Sequence, residues 1–63
     1  MELREVIPSL NREVEYDGKI YIMRESIVWK DSQGNINYSA VLIDKNANSQ
    51  YRVGIKNIKK YEG

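Results

Sequence analysis

The residue pair Asp17-Gly18 constrains the fold of this chain more than any other feature, because it predicts a β-hairpin. Glycine adopts the left-handed backbone conformation without steric cost, and aspartate favours tight turns through bonds from its side chain to nearby backbone groups. Polar, turn-forming runs recur at 31–34 and 44–49. Short strands separated by such turns are typical of an antiparallel meander. The sequence therefore predicts an all-β fold.

Two loop lengths are compatible with this first hairpin. A two-residue loop pairs Val14 with Tyr21, which leaves isoleucine and glutamate side chains together on one face. A three-residue loop, with Gly18 as the left-handed bulge residue, pairs Val14 with Ile20 and separates an apolar face from a charged one. We expect the three-residue loop, because it forms the cleaner core edge.

The rest of the chain divides into further strands. Residues 19–30 are rich in Ile, Tyr, Val and Trp and predict one long strand, with a bend or bulge at the polar residues 24–26. Residues 35–43 alternate, which predicts a half-buried strand with one apolar side formed by Ile36, Tyr38, Ala40 and Leu42.

The C-terminal part predicts a fourth strand at 50–53 and a last short strand at 59–61. Between them, Ile55 and Ile58 lie three residues apart. This is the spacing of one 3-10 turn that points both side chains inward.

The N-terminal segment gives conflicting signals. Leu3, Val6, Ile7 and Leu10 have helical spacing, but Pro8 removes a backbone donor and disfavours helical angles at the preceding residue. We expect an irregular or single-turn segment, or a short strand at 3–7, that caps the core.

This order of elements resembles the SH3-like small barrels, including the Tudor-like and KOW-like groups. The resemblance lies in the hairpin at Asp17-Gly18, the long bent strand, the meander, and Tyr51-Arg52-Val53 running into a one-turn helix. It implies a small barrel of about five antiparallel strands with a 3-10 turn before the last one. The expected organisation is a single domain over 1–63, with a capping segment at 1–11 and the barrel at 12–61.

Composition argues against catalysis. The sequence contains neither cysteine nor histidine, so Ser-His and Cys-His nucleophile pairs and thiolate metal sites are impossible. The four glycines are scattered singly at positions 18, 34, 54 and 63, and none belongs to a phosphate-binding loop. We therefore expect no enzymatic activity, no metal and no cofactor.

The sequence also indicates a cytoplasmic protein without a membrane partner. No apolar run approaches the roughly 20 residues that span a bilayer. Residues 1–5 lack the basic and then apolar pattern of a signal peptide.

The first candidate binding site lies in the C-terminal half, where positive charge collects. Residues 1–34 carry five basic and seven acidic side chains, whereas residues 35–63 carry five basic and two acidic ones. The candidate residues combine cations for phosphates with rings for bases: Tyr51, Arg52, Lys56, Lys59, Lys60 and Tyr61. A structural alternative stays open, in which the tyrosines pack in the core and the lysines keep an edge strand unpaired.

Trp29 is the second candidate. A single tryptophan in a small domain more often fills the core, and we expect it there. Its face depends on the loop that follows: a four-residue loop at 31–34 sets Trp29 opposite Ile36, and a three-residue loop sets it opposite Asn37.

Two functions are compatible with this sequence. The first is a non-catalytic, nucleic-acid-binding accessory module that uses the C-terminal cluster and Trp29. The alternative is a protein-interaction module or a small regulator of the phage-inhibitor type. It would grip a protein, or a second copy as a homodimer, through an exposed aromatic or sheet-edge surface.

Overall fold

The computed structural model describes residues 1–62. A short α-helix, α1, spans Leu3–Ser9, and five strands follow it: β1 Glu13–Tyr16, β2 Lys19–Lys30, β3 Ile36–Asp44, β4 Ser49–Gly54 and β5 Ile58–Lys60. A 3-10 turn at Ile55–Asn57 separates β4 from β5. The fold is mostly β, as the pattern of turns predicted, and the predicted extent of the long second strand is confirmed.

The five strands form one open antiparallel sheet in the order β4-β3-β2-β1-β5. Among the described residues, β4 pairs only with β3 and β5 only with β1, so these two strands are the edges of the sheet. The buried side chains of α1 and the 3-10 turn join the core on one side of the sheet, which we call the core face. The opposite side is called the outer face.

The first hairpin has a two-residue loop, so the prediction of a three-residue loop was wrong. Tyr16 pairs with Lys19 and Val14 with Tyr21. Both loop residues adopt positive φ, 52° at Asp17 and 77° at Gly18, as a type I′ turn requires. The reason is that Tyr21 supplies a larger apolar body to the core than Ile20 does. Tyr21 is buried and Ile20 is exposed.

A β-bulge in β2 lies where the polar interruption predicted one. Met23 pairs with Leu42 and Glu25 with Val41, so Arg24 is the extra residue on β2. Because side chains alternate along a strand, one extra residue exchanges the two faces of everything that follows it. Met23 points to the core face, and Glu25 therefore points to the outer face.

The core lies on the half of the sheet that α1 and the 3-10 turn cover. Its buried apolar side chains are Val6, Val14, Tyr21, Met23, Ala40, Leu42, Ile55 and Ile58. The prediction that Ile55 and Ile58 both point inward is confirmed. In contrast, the outer face carries no buried apolar side chain among residues 1–62.

The N-terminal segment is a seven-residue helix of about two turns, so the expectation of an irregular or single-turn segment, or of a strand, was wrong. Pro8 lies in the last turn, where its missing N–H removes only one helical bond. Burial of Val6 and Ser9 supports the helix. In addition, the α-amino group of Met1 donates to the carbonyl oxygens of Ile55 and Ile58, at 2.8 and 2.6 Å. Packing against the core thus overrides the local effect of proline.

Candidate nucleic-acid interface

Trp29 lies on the outer face with 41% of its surface exposed, so the expectation of a core position was wrong. Asp31 N–H donates to Asn35 O at 3.0 Å and Gly34 N–H to Asp31 O at 3.1 Å, which closes a three-residue loop. This loop places Trp29 opposite Asn37. The bulge at Arg24 is the second cause, because an unbulged strand would have placed Trp29 on the same face as Met23.

The indole ring of Trp29 is held from two sides. Its Nε1–H donates to the hydroxyl oxygen of Ser39 at 3.0 Å, and Ser39 is buried beneath it. The guanidinium carbon of Arg52 lies 5.6 Å from the ring centroid, within the range of a cation–π interaction. We call this arrangement the Trp29–Arg52 pair. It fixes an exposed aromatic ring and a cation next to each other on the outer face.

Tyr51 belongs to the same strand as Arg52 but lies on the opposite face of the sheet. It pairs with Leu42, which is buried in the core. The Tyr51 ring packs edge-to-face on Tyr21, at 5.9 Å between centroids, and Tyr21 packs in the same way on Tyr16 at 6.3 Å. Nevertheless, 46% of Tyr51 stays exposed. Tyr51 therefore covers part of the core and is also an accessible ring at the β4 edge.

The remaining candidates lie in the 3-10 turn, on β5 and directly after β5. Lys56 belongs to the 3-10 turn, Lys59 and Lys60 to β5, and Tyr61 follows β5 directly. All four side chains are exposed. In the strand order β4 and β5 are opposite edges, and on β4 the side chains of Tyr51 and Arg52 lie on opposite faces. Lys59, Lys60 and Tyr61 lie at the β5 edge, Arg52 belongs to the Trp29–Arg52 pair, and Tyr51 lies on the other face of β4.

An open cleft adds two cations that the sequence interpretation missed. Lys60 and Tyr61 line this cleft together with Arg12 and Lys45. Lys45 also forms an ion pair with Glu13, at 3.7 Å between Nζ and Oε2. Arg12 and Lys45 are both distant from Lys60 and Tyr61 in the sequence. Only the pairing of the strands brings them to the same cleft.

Acidic side chains lie beside Lys59 and Arg52 on the outer face. Lys59 is directly opposite Glu15 across the β1–β5 pair, and Glu25 is in the row of Val41 and Arg52. The positive charge is therefore local rather than a continuous stripe. Within residues 1–62, no group of three or more acidic side chains is arranged to hold a metal ion.

Ser39 is the hydrogen-bond partner of Trp29 that the sequence did not reveal. Its role depends on the register between β2 and β3, and residue types alone do not define that register.

The described residues also contain no helix with the length and apolar character needed to cross a membrane. Comparisons of the chain with protein-family models, with curated proteins and with solved structures find no match.

Proposed function

We propose that this chain is a non-catalytic module of the SH3-like small-barrel class that binds nucleic acid with exposed bases. The five antiparallel strands, the bulged second strand and the 3-10 turn before the last strand support this class. The function rests on one observation, the Trp29–Arg52 pair on the outer face.

The Trp29–Arg52 pair can make two interactions with a single-stranded nucleic acid, one with a base and one with a phosphate. A base can stack on an exposed aromatic ring, and such stacking is worth about 1–3 kcal/mol per base. The guanidinium of Arg52 can pair with a phosphate of the same strand. The hydrogen bond from Nε1 of Trp29 to Ser39 reduces the rotamer freedom that binding would otherwise remove.

The exposed residues at the β5 edge extend this proposal. Lys56, Lys59 and Lys60 are exposed cations, and Tyr61 adds an exposed ring to those of Trp29 and Tyr51. Their contribution is expected to be mainly electrostatic, because the acidic neighbours leave no broad positive surface. Such binding weakens as salt rises.

Trp29 is also the reporter for the test, because the chain contains one tryptophan. We expect oligothymidine to quench its fluorescence at about 50 mM salt, and to bind distinctly more weakly at about 200 mM. In fluorescence anisotropy with a labelled oligonucleotide, Trp29→Ala should weaken binding about tenfold. Arg52→Gln should weaken it and lower the salt slope by about one.

The matched control is Arg4→Gln, which removes the same charge from an exposed position on α1. It should leave the affinity within about twofold of that of the unmodified chain. Equal losses of affinity for Arg4→Gln and Arg52→Gln would mean that the oligonucleotide is attracted only by the overall charge of the protein. No quenching of Trp29 at low salt would refute the proposed function.

A second candidate function is supported by a separate surface. Val28 and Ile36 are 63% and 54% exposed on the core face, beyond the part that α1 and the 3-10 turn cover. Exposed apolar side chains that lie together are typical of protein contacts. A protein partner held there would respond little to salt and would be lost in Val28→Ser, whereas oligonucleotide binding would be retained.

A further inference from the structure

The two edges of the sheet are protected to different degrees. β5 is three residues long and carries Lys59 and Lys60, and short strands with lysines resist pairing with other chains. β4 is six residues long, with Arg52 as its one charged side chain and without proline. Since β4 pairs only with β3 among the described residues, its outer backbone groups have no strand partner there. The β4 edge is therefore the surface at which a further strand can add.

We propose that β4 pairs antiparallel with β4 of a second copy of this chain, centred on Tyr51. The result is a two-fold symmetric dimer in which the sheets of the two copies become continuous. This inference does not require nucleic-acid binding, although Arg52 belongs both to the Trp29–Arg52 pair and to the β4 edge.

Any register centred on a residue of β4 keeps the core faces of both copies on the same side of the shared sheet, and of the centres at 50, 51 and 52 the one at Tyr51 is favoured. Centring on Arg52 sets two guanidinium groups directly opposite each other, which destabilises a strand pair. Centring on Gln50 uses only the first three residues of β4 and runs into the preceding turn. Centring on Tyr51 pairs five residues, 49–53, with their counterparts.

The side chains in this register are compatible. Tyr51 lies opposite Tyr51 of the second copy, and aromatic pairs are among the favourable cross-strand pairs. Arg52 lies opposite Gln50, and Val53 opposite Ser49, so no like charges meet. A second copy's β5 is the poorer partner, because its two lysines would lie beside Arg52 and its three residues offer fewer backbone bonds.

Single-cysteine variants test the register, because the chain has no cysteine of its own. The two-fold axis places position 51 opposite itself at about 4.5–5.5 Å between Cα atoms, which is within the range for a disulfide. We expect Tyr51→Cys to form a covalent dimer under mild oxidation. The control Ser32→Cys, in the exposed β2–β3 loop, should form much less of it. Equal yields from both variants would overturn the register.

Charge variants at Gln50 test the dimer in chains that keep Tyr51. Each dimer contains two contacts between position 50 and Arg52, so Gln50→Glu should strengthen self-association roughly fivefold and Gln50→Lys should weaken it by a similar factor. Sedimentation equilibrium from micromolar to about 1 mM measures both. Ser32→Glu and Ser32→Lys are the controls for net charge. A monomer throughout this range, or the same response at both positions, would overturn the proposal.

Discussion

Both halves of the β2–β3 hairpin carry large apolar side chains, but only one half buries most of them. In the half next to the first turn, Met23 and Leu42 pair and are fully buried. In the distal half, Val28, Trp29 and Ile36 are all exposed. The same two strands form both halves, so strand propensity does not explain the difference.

Coverage by other elements explains the difference. α1 and the 3-10 turn add Val6 and Ile55 to the core beside Met23 and Leu42, whereas beyond Ala40 only the half-buried Tyr38 among the described residues packs against it. The covered half therefore provides stability, and the distal half presents apolar and aromatic side chains to solvent. Both candidate functions use side chains of this distal half.

The largest expected effect compares Leu42→Ala with Ile36→Ala, two aliphatic truncations on the core face of β3. Leu42→Ala should lower the free energy of unfolding by about 2–5 kcal/mol, because it leaves a cavity in the core. Ile36→Ala should lower it by at most about 0.5 kcal/mol, since Ile36 is mostly exposed already. Urea denaturation measures both values.

A small domain of this kind has a total stability of only about 3–9 kcal/mol, so Leu42→Ala is expected to populate the unfolded state visibly. Similar losses for the two variants would contradict the division of the hairpin into a covered and an uncovered half.

Glycine substitutions test whether the distal half unfolds together with the covered half. Gly18 and Gly34 have φ of 77° and 86°, and an added Cβ meets no atom within 4 Å at either position. Alanine should therefore lower the free energy of unfolding only through the strain of the left-handed backbone, by about 1 kcal/mol at each position. If the sheet unfolds cooperatively, both variants lose this amount in equilibrium urea unfolding.

Gly54→Ala is the matched control, because Gly54 has a φ of −69° and equally open surroundings. It should not lower the stability. If Gly34→Ala keeps the global stability but speeds amide hydrogen exchange near Trp29 and Ile36, the distal half opens on its own.

Features of the fold that depend on residues close together in the sequence were predictable from it. The turns, the full length of β2, the bulge near Arg24 and the 3-10 turn at Ile55 follow from backbone preference and side-chain spacing. The first loop was not predictable, because its register depends on whether Tyr21 or Ile20 fills the core better.

The face of Trp29 shows why the candidate site was harder to predict. A bulge was expected somewhere in 24–26, but the face of every later residue in β2 depends on which residue is extra and on the following loop. The helix was missed for a related reason: Pro8 acts locally, whereas burial of Val6 and Ser9 depends on a sheet formed by later residues. The candidate residues are exposed, but only the strand order and register show which of them share a strand and a face.

A smaller effect tests whether Trp29, in the distal half, interacts with Arg52 of β4 in solution. A double-mutant cycle with Trp29→Leu and Arg52→Leu should give a coupling energy of about 0.5–1 kcal/mol in urea unfolding. The control cycle joins Trp29→Leu with Arg4→Leu on α1, where coupling should be below about 0.3 kcal/mol. Equal coupling in both cycles would mean that the ring and the guanidinium do not interact in solution.

The smallest expected effect concerns Asp31, which organises the loop at the end of the distal half. The pKa of its carboxyl group is lowered, chiefly because Asn35 N–H donates to Oδ1 at 2.9 Å. Bonds from the Asn37 side chain and Gln33 N–H lower the pKa further, against an opposing effect of desolvation. A lowered pKa means that the charged form stabilises the folded chain above the unfolded pKa, and that this stabilisation is lost as pH falls through the folded pKa.

Asp31→Asn separates this charge effect from the shape of the loop. The unmodified chain should be slightly more stable than Asp31→Asn at pH 7, and the difference should disappear in acid, below the ordinary pKa of 3.8. Urea unfolding at several pH values measures it, with Asp17→Asn as the matched control in the first turn. A difference that stays constant with pH would show that the amide disturbs the loop itself. The distal half would then be held by backbone geometry and not by the charge of Asp31.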